Sequence, residues 1–320
     1  MSETDAGDLA PVPPTKRTRF GRWKAIIGLA GLVGLGIAAF STVDEAQEQV
    51  LPGWGSLLAA GAIHLVSLVC VARAWVVLFP DTADRTLLVR ALYASQLTKY
   101  LPAGGFVQVA SQVTLSSEPG GFAVSALRLP VFSLCSVVAA ASASSVLVLS
   151  DELPVWGRAL AGCGVLSVAA LDRRLLARLL GAARRLITRL PEPSALPPQA
   201  AILRCYGYAL LNMVGYATAF AILLGDLADI NPVMVGAALA AGWAAGYVVL
   251  PLPSGLGVRE AVLHLVLPAV ATASLLGASL AHRLLGLAAE ALMAGQSQLR
   301  ASINRQDRRP ERSGAPAARD

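Results

Sequence analysis

Long apolar runs separated by short polar segments limit what this chain of 320 residues can fold into more than any other feature. The runs cover residues 25–40, 54–79, 122–149, 155–171, 201–224, 233–250, 261–276 and 277–299. Because a bilayer core takes about 20 apolar residues per helix, each run is a candidate membrane span. The sequence therefore predicts an all-α, polytopic membrane helix bundle with about eight transmembrane helices.

Composition points the same way and excludes a soluble protein. Hydrophobic residues make up 55% of the chain and charged residues only 14%, with a mean hydropathy of +0.61. A soluble domain has a charged share of about 25%. Eight spans leave no room for a sizeable soluble catalytic domain, so we lean away from an enzyme.

The basic residues indicate the orientation. Most of the 26 Lys and Arg residues fall in segments 1–24, 80–101, 172–204 and 300–320, whereas the alternate segments are mainly acidic. Because cytoplasmic loops carry the excess of Lys and Arg, we expect both termini in the cytoplasm and a cytoplasmic (inner) membrane location. Disordered basic tails at 1–24 and 300–320 would flank a transmembrane domain at 25–299. A signal peptide at 25–40 is the alternative, and the long leader favours an uncleaved helix instead.

The net charge of +6 raises the question of a nucleic-acid partner. Every basic cluster lies beside a predicted span, so anionic lipid headgroups are the simpler partner and no nucleic acid is expected. One cluster suggests a short amphipathic helix on the cytoplasmic leaflet. Its arginines are Arg173, Arg174, Arg178, Arg184, Arg185 and Arg189.

The segment 91–115 is apolar enough to enter the bilayer but too polar to cross it comfortably. It contains Gln96, Lys99, Gln108 and Gln112, and Pro and Gly at 102–105 would break a helix at its middle. A full crossing would also reverse the charge arrangement downstream. We therefore predict a re-entrant helix, break and helix that enters and leaves on the cytoplasmic side.

A second break is predicted at 251–262, and it matches the first in sequence. Residues 101–108 and 252–259 share the pattern Leu-Pro-small-Gly-x-x-Val-polar. Paired interruptions in corresponding halves are the sequence sign of a transporter-type binding site. The half-helices starting near Phe106 and Val258 would point free N–H groups at a phosphate, with Lys99 and Arg259 nearby. The alternative is that both loops merely turn the chain at the membrane surface.

The last run contains charged residues that need an explanation inside a membrane. Arg283 and Glu290 lie seven positions apart on roughly one helix face, too far for a direct pair. We expect each to point inward to partners on other helices, such as Arg259 and Glu260. His64, His264 and His282 could form a proton relay, although packed histidines are the more common case.

The sequence lacks the motifs of several common chemistries. No G-x-x-x-x-G-K-[ST], H-E-x-x-H or G-x-S-x-G occurs. The four cysteines stand far apart in apolar stretches, without metal-ligand spacing. We therefore expect no cofactor and no metal, and any transport would be downhill, ion-coupled or driven by a separate enzyme.

Three segments together resemble landmarks of one family: 99–110 (KYLPAGGFVQVA), 252–261 (LPSGLGVREA) and 282–285 (HRLL). It is the lysylphosphatidylglycerol synthase transmembrane region family, also called flippase-like integral membrane proteins. The resemblance covers about residues 20–300. It implies an eight-helix unit that moves or binds polar lipids, alone or fused to lipid-modifying enzymes. Members that attach lysine to the lipid carry a large soluble synthase domain, and about 20 polar residues follow the last run here, so aminoacyl transfer is not expected.

The main hypothesis is therefore binding, and translocation, of a polar phospholipid or lipid-linked intermediate. The candidate substrate-binding residues are Lys99, Tyr100, Gly104, Gly105, Gln108, Gly255, Gly257, Arg259, Glu260, Arg283 and Glu290. One alternative is a polyprenyl-phosphate glycosyltransferase, with Asp44 and Glu45 as metal-binding acids. The other is a non-transporting subunit that anchors a separate lipid- or glycan-modifying enzyme through the basic loop 172–199.

Overall fold

The computed structural model describes residues 51–100, 104–115, 122–151, 153–186, 191–248 and 257–307, and within these ranges the regular structure is entirely helical. The helices are α1 (Trp54–Val76), α2 (Arg85–Gln96), α3 (Gly104–Leu115), α4 (Phe122–Ser144), α5 (Val155–Leu166), α6 (Arg173–Leu186), α7 (Gln199–Gly225), α8 (Pro232–Val248), α9 (Val258–Val266) and α10 (Thr272–Asp307). Short 3₁₀ turns follow α2, α4 and α5, at Leu97–Tyr100, Ser145–Leu149 and Ser167–Leu171. The predicted all-helical fold is confirmed for this part of the chain.

Four helices are long and apolar enough to cross a membrane: Trp54–Val76, Val124–Leu149, Gln199–Gly225 and Thr272–Leu299. Two shorter apolar helical stretches, Val155–Leu171 and Pro232–Tyr247, complete the set found in the described residues. These helices suit a membrane protein, as the composition indicates. The predicted first run at 25–40 and the acids Asp44 and Glu45 lie outside the described residues, and the count of eight spans stays a prediction.

The predicted span at 261–276 is wrong as a continuous helix. Helix α9 has nine residues and ends at Val266, which at a rise of 1.5 Å per residue makes it about 14 Å long. Helix α10 begins at Thr272 and runs without interruption through Gly277, the predicted boundary, to Asp307 within the segment predicted as a tail. The actual break surrounds Pro268, because proline cannot continue a preceding helix.

In the segment 91–115 the first α-helix ends at Gln96, before the break predicted at 102–105, and Gly104 and Gly105 belong to the next helix. Helix α2 begins at Arg85, where the Asp84 carboxylate caps it by accepting from the N–H groups of Thr86 (2.9 Å) and Leu87 (3.2 Å). It ends at Gln96, a 3₁₀ turn follows, and α3 restarts at Gly104 after residues outside the described part. The two helices pack against each other. Whether this pair enters the bilayer from one side remains a prediction.

Small residues let the long helices approach closely. Helix α1 packs along α7, where a Cβ added at Gly215 would lie 2.9 Å from the Cβ of Ser67. Helix α4 meets α5 at Gly164, where an added Cβ would lie 2.0 Å from the carbonyl oxygen of Ala141. The bundle thus depends on glycine contacts of the type that membrane helices use.

Two apolar clusters occupy opposite ends of the bundle. One joins the second half of α1 to α2, α4 and the start of α7, and includes Trp75, Leu92 and Ile202. The other joins the first half of α1 to the end of α7, α8, α9 and the start of α10, and includes Phe220 and Leu239. The polar residues of the spans lie between these clusters.

Candidate functional site

A cavity of about 250 Å³ lies between the two apolar clusters. Eight helices contribute to its wall: α1, α2 through Gln96 at its end, α3, α4, α7, α8, α9 and α10. Its polar lining includes His64, Gln112, Tyr216, Arg259, His282 and Glu290, which are all largely buried. A polar cavity enclosed by apolar helices is the arrangement expected of a binding site for a polar group within a membrane protein.

Arg259 is the most buried cation of this wall. Its relative exposure is 4%, and Nη1 donates to the Tyr216 hydroxyl at 3.1 Å. Helix α9 can bring it there because α8 presents Gly242, where an added Cβ would lie 3.0 Å from both the Cγ and the carbonyl oxygen of Arg259. Within the described part of the chain, Arg259 Nε has no hydrogen-bond partner, and Nη2 lies 3.3 Å from Glu260 Oε1 in an ion pair that lacks hydrogen-bond geometry. This guanidinium therefore retains donors for a guest.

Glu260 connects the two arginines of the site. Its Oε1 accepts from Arg283 Nη2 at 2.8 Å and lies 3.3 Å from Arg259 Nη2. This confirms the predicted contact between Arg283 of the last helix and Glu260 of another helix. Glu290 is buried and lines the same cavity, two turns after Arg283.

The amino end of α9 differs in one respect from the prediction. Helix α9 starts at Val258, as predicted, after Gly257 in a left-handed conformation (φ 83°) that glycine adopts without strain. The Gly257 N–H is not free, because it donates to Glu260 Oε2 at 3.0 Å. The carboxylate thus occupies part of the amide end that the sequence assigned to a phosphate.

Aromatic rings form the wall beside Arg259. The rings of Tyr216 and His282 pack edge to face with centroids 4.3 Å apart, and His64 lies 5.4 Å from His282. His282 Nε2 donates to the Tyr216 carbonyl at 3.1 Å, since that oxygen can only accept. His264 is exposed and does not join this group, so the three histidines do not form one relay.

Helices α3 and α8 add amides and aromatic rings to the lining. Gln108 and Gln112, one turn apart on α3, line the cavity, and Gln112 is 1% exposed. Trp243 and Tyr247, one turn apart on α8, stack with ring centroids 5.2 Å apart. A guest in the cavity would therefore meet amide donors and aromatic rings as well as the guanidiniums.

The structure brings five of the predicted site residues together: Gln108, Arg259, Glu260, Arg283 and Glu290. Gly104 and Gly105 open helix α3, and Gly257 is the exposed cap of α9. The side chains of Lys99 and Tyr100 lie outside the described part, as do Gly255 and both Pro-containing breaks at 101–103 and 251–256.

Sequence reasoning missed most of the aromatic wall. Tyr216, Trp243 and Tyr247 were not singled out, His64 was considered only for a relay, and His282 only for a relay and as part of the 282–285 landmark. A signal was present, since polar residues recur one turn apart within apolar runs: His64 with Ser67, Gln108 with Gln112, and Asn212 with Tyr216. A polar stripe on an apolar helix marks the face toward a cavity or another polar helix.

Comparison with known proteins gives no family assignment. No family model matches the chain, and no curated protein shows significant similarity to it. The resemblance to the lysylphosphatidylglycerol synthase transmembrane region therefore remains an expectation. In the part of the chain that the structure describes, no group of three His, Cys, Asp or Glu side chains could hold a metal ion.

Proposed function

We propose that this protein binds the anionic headgroup of a phospholipid or lipid-linked intermediate in the central cavity and carries it across the cytoplasmic membrane. The observation that carries the proposal is Arg259, buried to 4% exposure on the cavity wall, where Nε lacks a hydrogen-bond partner among the described residues and Nη2 has an ion pair of 3.3 Å with Glu260 that lacks hydrogen-bond geometry. A buried guanidinium is costly unless an anion or acceptor satisfies it.

The size of the cavity suits a lipid headgroup. Its volume of about 250 Å³ lies below the 300–1,000 Å³ of sites that enclose a drug-sized molecule. It is large enough for a headgroup while the acyl chains stay in the bilayer. The surrounding helices Trp54–Val76, Gln199–Gly225 and Thr272–Leu299 are apolar enough to lie against lipid.

The charge distribution supports an orientation with both termini in the cytoplasm. The sequence has no nucleotide-binding motif of the P-loop type, so movement of the lipid is downhill, coupled to an ion or driven by a separate enzyme. Asp44 and Glu45, on which the glycosyltransferase alternative depends, lie outside the described residues.

Lipid scrambling in reconstituted vesicles tests this function. We expect Arg259→Gln to slow translocation of a fluorescent anionic phospholipid about tenfold or more, because the headgroup loses a buried charge contact. A tenfold change corresponds to about 1.4 kcal/mol. Arg158→Gln is the matched control, because Arg158 is a partly exposed arginine of α5 paired with Asp151. If wild type and a folded Arg259→Gln translocate the lipid at equal rates, neither Arg259 nor the proposed site takes part in transport.

A further inference from the structure

Glu260 stands where it competes with any anion for the two cationic side chains of the site. Its Oε1 contacts Arg283 at 2.8 Å and Arg259 at 3.3 Å, so both guanidiniums already share one carboxylate. Glu260 itself is absent from the cavity lining formed by Arg259 and Arg283. It therefore neutralises them from beside the cavity and leaves the guest space open.

Among the described residues, the charges of the site balance before any guest arrives. Arg259, Glu260, Arg283 and Glu290 are the charged side chains that line or adjoin the cavity among the described residues, and their formal charges cancel when the histidines are neutral. Against these four side chains, an anionic guest would add a negative charge that they do not compensate, in a largely buried space. Such a buried charge is strongly unfavourable, so one of the two carboxylates has to move away from the arginines when the guest binds.

Glu260 is the carboxylate that can move. Its side chain is 19% exposed, whereas Glu290 is 4% exposed. It lies in the first turn of the nine-residue helix α9, three residues after the exposed Gly257 whose N–H it caps. A rotation of this side chain toward Gly257 and solvent would release both arginines without moving the helix.

We propose that Glu260 is a displaceable counter-ion: it holds Arg259 and Arg283 in the ligand-free protein and leaves them when an anionic headgroup binds. The inference rests on the proposed function, because it requires that the guest be an anion. It assigns Glu260 the role of weakening and reversing binding, so that a transported lipid can leave the site. From the sequence, Glu260 was placed among the residues that bind the guest, which is a different role.

Substitution of Glu260 separates these roles. Glutamine keeps the shape of the side chain and an oxygen that can accept from the Gly257 N–H, since Glu and Gln both serve at this capping position. We expect Glu260→Gln to bind an anionic lipid about tenfold more tightly than wild type, a change of about 1.4 kcal/mol. Glu260→Asp keeps the charge on a shorter side chain and should fall between the two.

The probe is dihexanoylphosphatidylglycerol, titrated below its micelle concentration into detergent-solubilised protein, with dihexanoylphosphatidylcholine as the zwitterionic comparison. Trp243 lines the cavity, so its fluorescence reports binding there. Trp243→Phe shows which part of the signal belongs to this tryptophan. Thermal unfolding shows whether each variant is folded. If Glu260→Gln does not fold, the comparison is made with Glu260→Asp instead.

The possible outcomes distinguish the counter-ion role of Glu260 from the proposed function on which it rests. Tighter binding of the anionic lipid by Glu260→Gln, with Arg259→Gln weaker than wild type, supports both. If folded Glu260→Gln and Glu260→Asp bind the anionic lipid no more tightly than wild type, Glu260 is not a displaceable counter-ion. The proposed function still stands in that case, provided that wild type binds the anionic lipid. If wild type binds neither lipid, or binds both equally regardless of Arg259, the proposed function fails and the inference with it.

Discussion

Arg259 connects the chemistry of the site to its fold. An arginine has five N–H donors and no acceptor, so burying one requires several oxygen atoms around it. Within the described residues, the Tyr216 hydroxyl and the Glu260 carboxylate are the oxygens that contact it. Gly242 gives it room on the side of α8. The residue is therefore positioned by neighbours from α7, α8 and α9 together.

Removing the Tyr216 hydroxyl should cost more than removing a comparable hydroxyl elsewhere. Tyr216→Phe deletes the acceptor of Arg259 Nη1, and we expect the free energy of unfolding to fall by about 1–3 kcal/mol because a buried charged donor loses its partner. Tyr206→Phe is the control, since its hydroxyl contacts the neutral Ser142 hydroxyl at 3.1 Å. That change should cost about 0.5–1.5 kcal/mol. Chemical denaturation in detergent measures both, and equal losses would show that Arg259 does not depend on Tyr216.

Among the elements, α9 and its neighbour α8 set the geometry of the site. Helix α9 is short because Pro268 stops its continuation, and it starts at a glycine in a left-handed conformation. The small residues Ala238, Gly242 and Gly246 recur at four-residue spacing along α8 as a seam for close helix packing, and Gly242 contacts Arg259 directly. The seam therefore serves the site as well as helix packing.

Helix α6 presents three distinct faces. Leu176, Ala177 and Leu180 pack on the apolar cluster shared by α1, α2 and α4. Leu175 and Leu179 are exposed by 40% and 58%, one turn apart. Arg174, Arg178 and Arg185 form an exposed basic face beside these leucines. The sequence predicted this amphipathic helix, and its faces suit the boundary between acyl chains and anionic headgroups.

Spin labelling tests the placement of α6. In a background without the partly accessible Cys70 and Cys163, we expect a nitroxide at Leu179→Cys to be more accessible to oxygen than to a water-soluble nickel complex in vesicles that contain phosphatidylglycerol. A label at Arg178→Cys, the matched control on the basic face, should show the reverse preference. Equal access of the nickel complex to both labels would place the helix in water.

At the scale of the whole molecule, the sequence predicted the helices better than the site. The apolar runs at 54–79, 122–149 and 201–224 correspond to α1, α4 and α7 because length and hydropathy alone define such helices. The boundary at Gly277 was wrong, since a glycine inside a long helix costs only about 1 kcal/mol and need not end it.

The site was predicted where charges are rare enough to stand out. Arg259, Glu260, Arg283 and Glu290 are conspicuous in apolar segments, and the pairing of Glu260 with Arg283 followed from the need to compensate buried charge. Tyr216 and His282 were not assigned to the site, because tyrosine and histidine pack in many helices without binding anything. Their convergence depends on how α1, α7 and α10 cross, which a single sequence does not specify.

The molecule as a whole consists of two apolar clusters with a polar cavity between them. The clusters hold the ends of the long helices together, and the middle stays open around Arg259, Tyr216 and His282. In the proposed function, a headgroup would bind in this cavity, midway along the long helices, during its passage between the two leaflets.

A density map of the protein in nanodiscs rich in phosphatidylglycerol tests this central claim most directly. We predict phosphate density inside the cavity within hydrogen-bond distance of the Arg259 guanidinium, and its loss in Arg259→Gln. A well-resolved map with lipid only around the outer surface of the bundle, and water or side chains filling the cavity, would contradict the account.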